Sequence, residues 1–376
     1  MKKVSSLKYY KVKCPVCGTP NEFKGIKPKA YVETGRDTDF CPLARDWQDS
    51  KHRIKNPLLF LMATCKRCFF THELNKDLIE WKNHPEFRSP AFVTLKRKHL
   101  EEFKQKNGII KRMSKSLRPC KDPFSTAVIK FLLGIYDESL KPAPSYYNLG
   151  RYYLRVGWIF REERKKEESA WIKENLTHQS LGETLKSIQV QHADYLKKMK
   201  KLKEEVQFEF ESETKSIKDR SDFLIDHIIK ELNTLKGSLD QLQHIHQDYQ
   251  NKPLANMGND LFRFEDFLFA LKMQWHEIPI NEKEALELSL ANYKKSLTQG
   301  LKENQKIRIS YLIGELSRRI GDLNSAKEYL DLAINVGQDF IQKNEDDPLK
   351  TALAQRILEM AYQQKEVISR GRERVL

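Results

Sequence analysis

Cysteine is scarce in this chain: six residues in 376, too few and too scattered to staple a disulfide framework. No run of about 18 apolar residues occurs, so no membrane-spanning helix is expected. Glycine and proline are also few, at 15 and 14, and 32% of the chain is charged against 39% hydrophobic. That balance disfavours a large sheet with many tight turns and predicts long solvated helices. A glycine-rich phosphate loop, a HExxH motif and a local Ser/His/Asp arrangement are all missing, so the chain is expected not to be an enzyme. The basic N-terminus runs into Tyr9-Tyr10-Lys11 rather than an apolar segment. It does not read as a secretory signal, and a cytoplasmic location is expected, with no membrane insertion.

The net charge of +15 is not spread evenly. Residues 1–120 hold 27 Lys+Arg against 12 Asp+Glu, and the remainder is balanced at 40 of each. A basic head on a neutral body suits phosphate or an acidic partner, because charge neutralisation needs clustered cations. Lys-rich solvated surface is the plainer alternative.

The cysteines that remain are placed to bind metal. Cys14-Pro15-Val16-Cys17 and Cys65-Lys66-Arg67-Cys68 are two CxxC turns. Each turn can present two thiolates from one side, and two together close a tetrahedral set around Zn2+. With no position left for water, a structural rather than catalytic zinc follows. Gly18 relieves the first turn, whereas Phe69 occupies the equivalent place in the second. Cys41, with His52 and His72, is a possible additional ligand, although a packed thiol is the more ordinary role. Cys120 stands alone and reads as a free or buried thiol.

Residues 1–95 are punctuated by Gly25, Pro28, Gly35, Pro42 and Pro57, which predicts short strands and loops around the zinc ribbon. The run Leu58–Thr64 reads as a buried strand leading to Cys65. Residues 96–120 are basic with weak apolar spacing and read as a linker, with a solvated helix docking on an acidic partner as the alternative. Residues 121–165 read as a helical hairpin, opened by Asp122 as N-cap and Pro123 at the first helical position and interrupted at Pro142 and Pro144. Residues 166–255 carry a proline-free, heptad-like pattern. Leu185, Ile188, His192, Tyr195, Met199, Leu202 and Val206 form one seam; Ile228, Leu232, Leu235, Leu239 and Leu242 form another. The charged stretch 209–220 is either the turn of an antiparallel hairpin, with Ser221-Asp222 as a cap, or the waist of one long helix; His192 is read as a packing residue.

In 256–376, Gly314 and Ala326 stand twelve apart across Gly321-Asp322, with Leu330 and Ala333 following. This resembles the tetratricopeptide repeat, with a degenerate upstream echo at Ser289, Tyr293 and Ser296. A last helix follows Asp347-Pro348. The fold class expected is therefore mainly α, with a small N-terminal ribbon, a coiled-coil-like insertion and tetratricopeptide-like C-terminal helices.

Taken in order, Cys14–Gly18, Arg36-Asp37-Thr38-Asp39-Phe40-Cys41-Pro42, Asn56–Phe60, Cys65–Cys68 and Leu154–Arg161 resemble a family of uncharacterised bacterial proteins. That family joins a zinc-ribbon-like segment to tetratricopeptide-like helices. The resemblance implies metal binding by Cys14, Cys17, Cys65 and Cys68 and a recurring place for Cys41; it transfers no catalytic residue. Lys66, Arg67 and Phe69 depart from the family's second knuckle, and 166–255 reads as an addition. Two functions follow as expectations. The first is an interaction scaffold that binds a protein partner through helical repeats and self-associates through its seams. The alternative is nucleic-acid binding through Lys24, Lys27, Lys29, Lys66 and Arg67, with Phe69 and Phe70 either stacking on bases or packing in the ribbon core.

Overall fold

A computed structural model describes residues 6–49, 56–117, 122–209, 215–250 and 259–371. The fold is mainly helical with a small N-terminal region of short antiparallel strands, and the chain divides into two compact units, Met1–Glu163 with Arg263–Leu376, and Arg164–Phe262.

In the first unit, three antiparallel hairpins follow one another: β1 (Leu7–Lys13) with β2 (Pro20–Ile26), β3 (Tyr31–Arg36) with β4 (Pro42–Trp47), and β5 (Met62–Thr64) with β6 (Thr71–Glu73). The expected strand at Leu58–Thr64 is shorter than its apolar run. Asn56 caps a 3-10 turn over Pro57–Phe60, because its side chain accepts from the Leu58 amide, and only Met62–Thr64 extends. After a four-residue helix α1 (Lys76–Ile79), α2 (Pro90–Lys104) and α3 (Ile109–Leu117) occupy the stretch read as a basic linker. That reading needs correction through residue 117. Leu95, His99, Ile110 and Met113 are buried, so the few apolar positions among the cations suffice to dock both helices. Cys120 lies outside the described residues.

Helix α4 (Pro123–Ser139) is the hub of this unit. The Asp122 carboxylate accepts from the Phe124 and Ser125 amides, and Pro123 stands in the first turn. Val128, Phe131, Leu132, Leu133 and Ile135 are fully buried. Gly134 lets Met62 of β5 lie directly on the helix, since a Cβ there would stand 2.3 Å from the Met62 methyl. Helix α5 (Tyr146–Glu209) then begins after Pro142 and Pro144, and its Gly150 receives the ring of Tyr293 from α8 (Glu282–Ser296).

After α7 (Asn259–Lys272) and α8, helices α9 (Glu303–Arg319), α10 (Leu323–Lys343) and α11 (Pro348–Ser369) complete the unit. Gly314 meets Leu330, Ile307 meets Gly337, and Glu303 pairs with Lys343 at 3.3 Å. One partner's number rises as the other falls, so α9 and α10 are antiparallel. Gly321, at φ +90°, makes the turn between them, and Asp322 caps α10 through the Ser325 amide. Lys365 likewise reaches Asp331, and Gln338 reaches Tyr362, across α10 and α11.

The second unit pairs the distal part of α5 with α6 (Lys215–Gln250). Gln189 donates to Gln243 at 2.6 Å and to Asp240 at 3.2 Å, and His192 meets the Leu232 carbonyl, which fixes an antiparallel arrangement. His192 is buried and acts as a packing residue. Ser221-Asp222 falls inside α6 rather than at its cap. Of the predicted seams, Leu185 and Leu239 are buried, whereas Ile188, Tyr195, Leu202, Ile228, Leu235 and Leu242 are exposed.

Candidate metal centre

The first and third hairpins each end in a CxxC turn, and the two turns are built alike. In the first, the Gly18 amide donates to the Cys14 carbonyl at 2.9 Å and the Cys14 amide to the Thr19 carbonyl at 2.9 Å. In the second, Phe69 donates to Cys65 at 3.0 Å and Cys65 to Phe70 at 2.9 Å. Gly18 has φ +71° and Phe69 φ +64°. The second knuckle therefore adopts the glycine-type conformation without a glycine, at a cost of about 1–2 kcal/mol. Burial of the Phe69 ring, 3% exposed and 6.2 Å from the Phe103 ring, offsets that cost.

The two turns bring Cys14, Cys17, Cys65 and Cys68 together with all four sulfurs within 4.8 Å of one another. Cys14 and Cys68 are 3.7 Å apart, and Cys17 and Cys65 3.6 Å. Thiolates about 2.3 Å from a central zinc would lie about 3.8 Å from each other, so the four residues fit a tetrahedral cation. Mutual contact drives their protonation apart. Hydrogen bonds from Cys14 and Cys68 draw Cys65 down; Cys14 is pushed up to about 12, chiefly by its hydrogen bond to Cys65; and Cys68 is pushed up, chiefly by its hydrogen bond to Cys14. Four thiolates this close ionise together only around a cation.

Side chains around the sulfurs tie the knuckles to each other and to the helices. The Asn21 amide donates to the Thr19 carbonyl at 2.8 Å, approaches Cys65 Sγ at 3.6 Å, and accepts from the Lys66 amide at 2.9 Å. His99 of α2 sits wholly buried beneath the second knuckle. Its Nε2 lies 3.0 Å from the Cys68 carbonyl and its Nδ1 2.5 Å from Asp137 Oδ1 of α4, while Asp137 Oδ2 accepts from the Thr71 amide at 2.8 Å. Two acceptors favour the doubly protonated ring. Burial, the largest influence on His99, opposes that charge, yet the Asp137 carboxylate outweighs it and the pKa is raised.

Cys41 lies outside the four-thiol group. It is buried beside Asp39, and burial foremost pushes its thiol up to about 12. His72 meets Glu86 at 3.7 Å and the Glu73 carbonyl at 3.0 Å rather than Cys41, and His52 is outside the described residues. The motif around Cys41 does something else. The Asp37–Cys41 turn feeds a buried ion network: Arg161 of α5 reaches Asp39 at 2.7 Å, Asp37 at 3.1 Å and Glu282 of α8 at 2.6 Å. Arg319 of α9 reaches Asp37 at 2.8 Å and Glu315 at 2.7 Å. Thr38 donates to Glu315 at 2.5 Å, and Trp158 donates to Asp39 at 3.1 Å. Burial works against the Asp37 charge, but Arg319 holds its carboxyl below the ordinary carboxylate range. Neither this network nor His99–Asp137 is visible as a spacing pattern, since the partners stand tens to hundreds of residues apart.

The basic candidates separate into groups. Lys24 is exposed on β2 with Nζ 5.7 Å from the ring of Tyr9. Lys66 and Arg67 are exposed on the second knuckle, while Phe69 and Phe70 are buried and unavailable for stacking. Lys27 and Lys29 border a cleft of about 980 Å³ beside β3 and α5.

A protein-family model described as "Uncharacterized protein conserved in bacteria (DUF2225)" matches residues 7–252, a span that takes in most of 166–255. No curated protein and no solved structure matches the chain.

Proposed function

We propose the following for this protein, which belongs to the bacterial DUF2225 family, matched over residues 7–252: it is a non-enzymatic interaction scaffold that binds a protein partner through its C-terminal helices. The observation that carries this reading is a groove of about 640 Å³ at the junction of α9, α10 and α11. Ile307, Phe340 and Ile357 line it, and Leu349 and Leu353 stand at its edge, 93% and 49% exposed. An apolar trough flanked by Lys302, Glu303 and Lys350 suits a helix or extended peptide with apolar anchors. The helices read as tetratricopeptide-like, a repeat whose stacked pairs serve this use.

The four cysteines hold a structural Zn2+ in this reading, and the scaffold works in the reducing cytoplasm, where the thiolates stay available. Self-association is assigned to the stripe Ile188, Tyr195, Leu202, Leu235 and Leu242, which a coiled-coil-like neighbour would cover. The experiment compares full-length protein with Leu349→Asp/Leu353→Asp, both zinc-loaded, in affinity capture from a bacterial lysate. Proteins retained by the parent and lost by the variant, at equal melting temperature, are the expected result. Equal retention by both would overturn the groove as the partner site. A metal content other than about one zinc per chain would overturn the zinc assignment.

A second reading, nucleic-acid binding, is favoured by Lys24 poised over the 54% exposed Tyr9, with Lys27, Lys29, Lys66 and Arg67 on the same basic head. Oligonucleotide binding that weakens steeply with salt supports it, and no binding at low salt removes it.

A further inference from the structure

The cleft beside β3 and α5 belongs to neither the sulfur cluster nor the C-terminal groove. Its described lining carries five cations, Lys27, Lys29, Arg36, Arg45 and Arg155, against one carboxylate, Glu33. Three of these are partly answered: Arg36 meets Glu33 at 2.9 Å, Arg45 meets Glu162 at 2.7 Å, and Arg155 meets Glu73 at 3.4 Å. The last answer is weak, because Glu73 already binds Arg151 through both oxygens at 2.8 and 3.0 Å. One carboxylate between two guanidiniums leaves positive charge at the cleft wall, in a setting that solvates it poorly. Burial first, and Arg151 second, work against the Arg155 charge. Lys27 is half-buried at the same wall and Lys29 is exposed at the rim, and among the described residues neither is in an ion pair.

Most of the remaining lining is aromatic or aliphatic, with Gln48 among it. Tyr10, Phe60 and Trp158 are each half-buried at the cleft, and the Trp158 ring is held in place by its hydrogen bond to Asp39. A volume of about 980 Å³ lies at the upper end of the range for small-molecule sites. Uncompensated guanidinium charge favours phosphate, which it can bind through two oxygens at once. Aromatic walls favour a planar ring system.

We propose that this cleft binds a phosphorylated planar ring, a mononucleotide being the ordinary example. Phosphate contacts Arg155 and Lys27, and the ring lies against Trp158 and Phe60.

The test is calorimetric titration of the full-length protein with adenosine 5′-monophosphate, adenosine, glycerol 3-phosphate and inorganic phosphate. The nucleotide is expected to bind at submillimolar concentration and each of the other three at least about tenfold more weakly. Lys27→Glu/Lys29→Glu changes accessible side chains and is expected to weaken nucleotide binding about tenfold or more at unchanged melting temperature. Arg155→Met is expected to abolish it. Where Arg155→Met also lowers the melting temperature, the rim variant decides. Absence of nucleotide binding at millimolar concentration overturns the site, as does binding indifferent to the rim variant. Equal affinity for glycerol 3-phosphate overturns the planar ring. A short oligonucleotide that binds where the mononucleotide does not overturns the small-molecule assignment while leaving the nucleic-acid reading standing.

Discussion

The two cysteine knuckles share a backbone and a common apolar cluster and differ in the residue that closes the turn and in the polar groups beneath it. The first ends in Gly18, whose Cβ position meets nothing within 4 Å, and it lies between β1 and β2 with Cys14 and Val16 buried. The second ends in the buried Phe69 and stands on His99, Asp137 and α4. One turn geometry is thus reached by two routes: a residue that permits the left-handed conformation, and a residue compelled into it by packing. With a cation bound as proposed, the first knuckle would depend on it more than the second, which also rests on the His99–Asp137 pair.

Metal removal breaks the comparison most severely. If the four thiols hold zinc as proposed, chelation forfeits free energy on the order of 10 kcal/mol. Hydrogen exchange after chelation is expected to release the Gly18 and Cys14 amides while the Phe69 and Thr71 amides stay protected; simultaneous release of both sets would show that the helices do not hold the second knuckle. Next in size is His99→Ala, which leaves Asp137 buried and the Cys68 carbonyl without its donor. A loss of about 3–5 kcal/mol in denaturant unfolding is expected, and less than about 1 kcal/mol would mean that the pair does not anchor the knuckle.

Phe69→Gly relieves about 1–2 kcal/mol of backbone cost and forfeits about 3–5 kcal/mol of aromatic burial, for a net loss of about 2 kcal/mol. Gly18→Ala should cost about 1 kcal/mol, from backbone strain alone. Reversal of that order in melting experiments would refute the two-route account. The smallest effect belongs to the Glu86 pair beneath β6. Hydrogen bonding to His72 foremost lowers the Glu86 pKa from 4.5 to about 2, while the Glu86 carboxylate, against the pull of burial, raises that of His72 above 6.5. Glu86 therefore stabilises the fold above pH 4.5 and loses that contribution as pH falls toward 2; the His72 share is full below pH 6.5 and fades above its raised value. The stability gap between parent and Glu86→Gln should peak between about pH 4.5 and 6.5, at about 1 kcal/mol. A pH-independent gap would assign the effect to packing instead.

The sequence disclosed what depends on near neighbours. CxxC spacing marked the four thiols, Asp122-Pro123 marked the start of α4, and Gly321-Asp322 marked the α9–α10 turn. Residues 96–117 were misread as a linker because their burial rests on scattered positions, His99, Ile109, Ile110 and Met113, among many cations. The Asp37–Cys41 motif drew attention through its cysteine, whereas its aspartates make the contacts that matter. Arg161 and Arg319 gave no local sign of that role, since an ion pair leaves no periodicity in the chain.

The Thr38–Glu315 contact spans 277 residues. A nascent chain emerging at about 5–20 residues per second needs about 15–55 s to bring Glu315 out after Thr38. Both cysteine knuckles are complete by residue 68, so they can take up metal long before the turn beside them finds its partners. During that interval Arg161 emerges and can pair with Asp37 and Asp39, while Glu315 and Arg319 are still to come. The turn is locked last, when Arg319 arrives, and a chain truncated before that residue would carry a finished ribbon whose Asp37 and Asp39 answer to Arg161 alone.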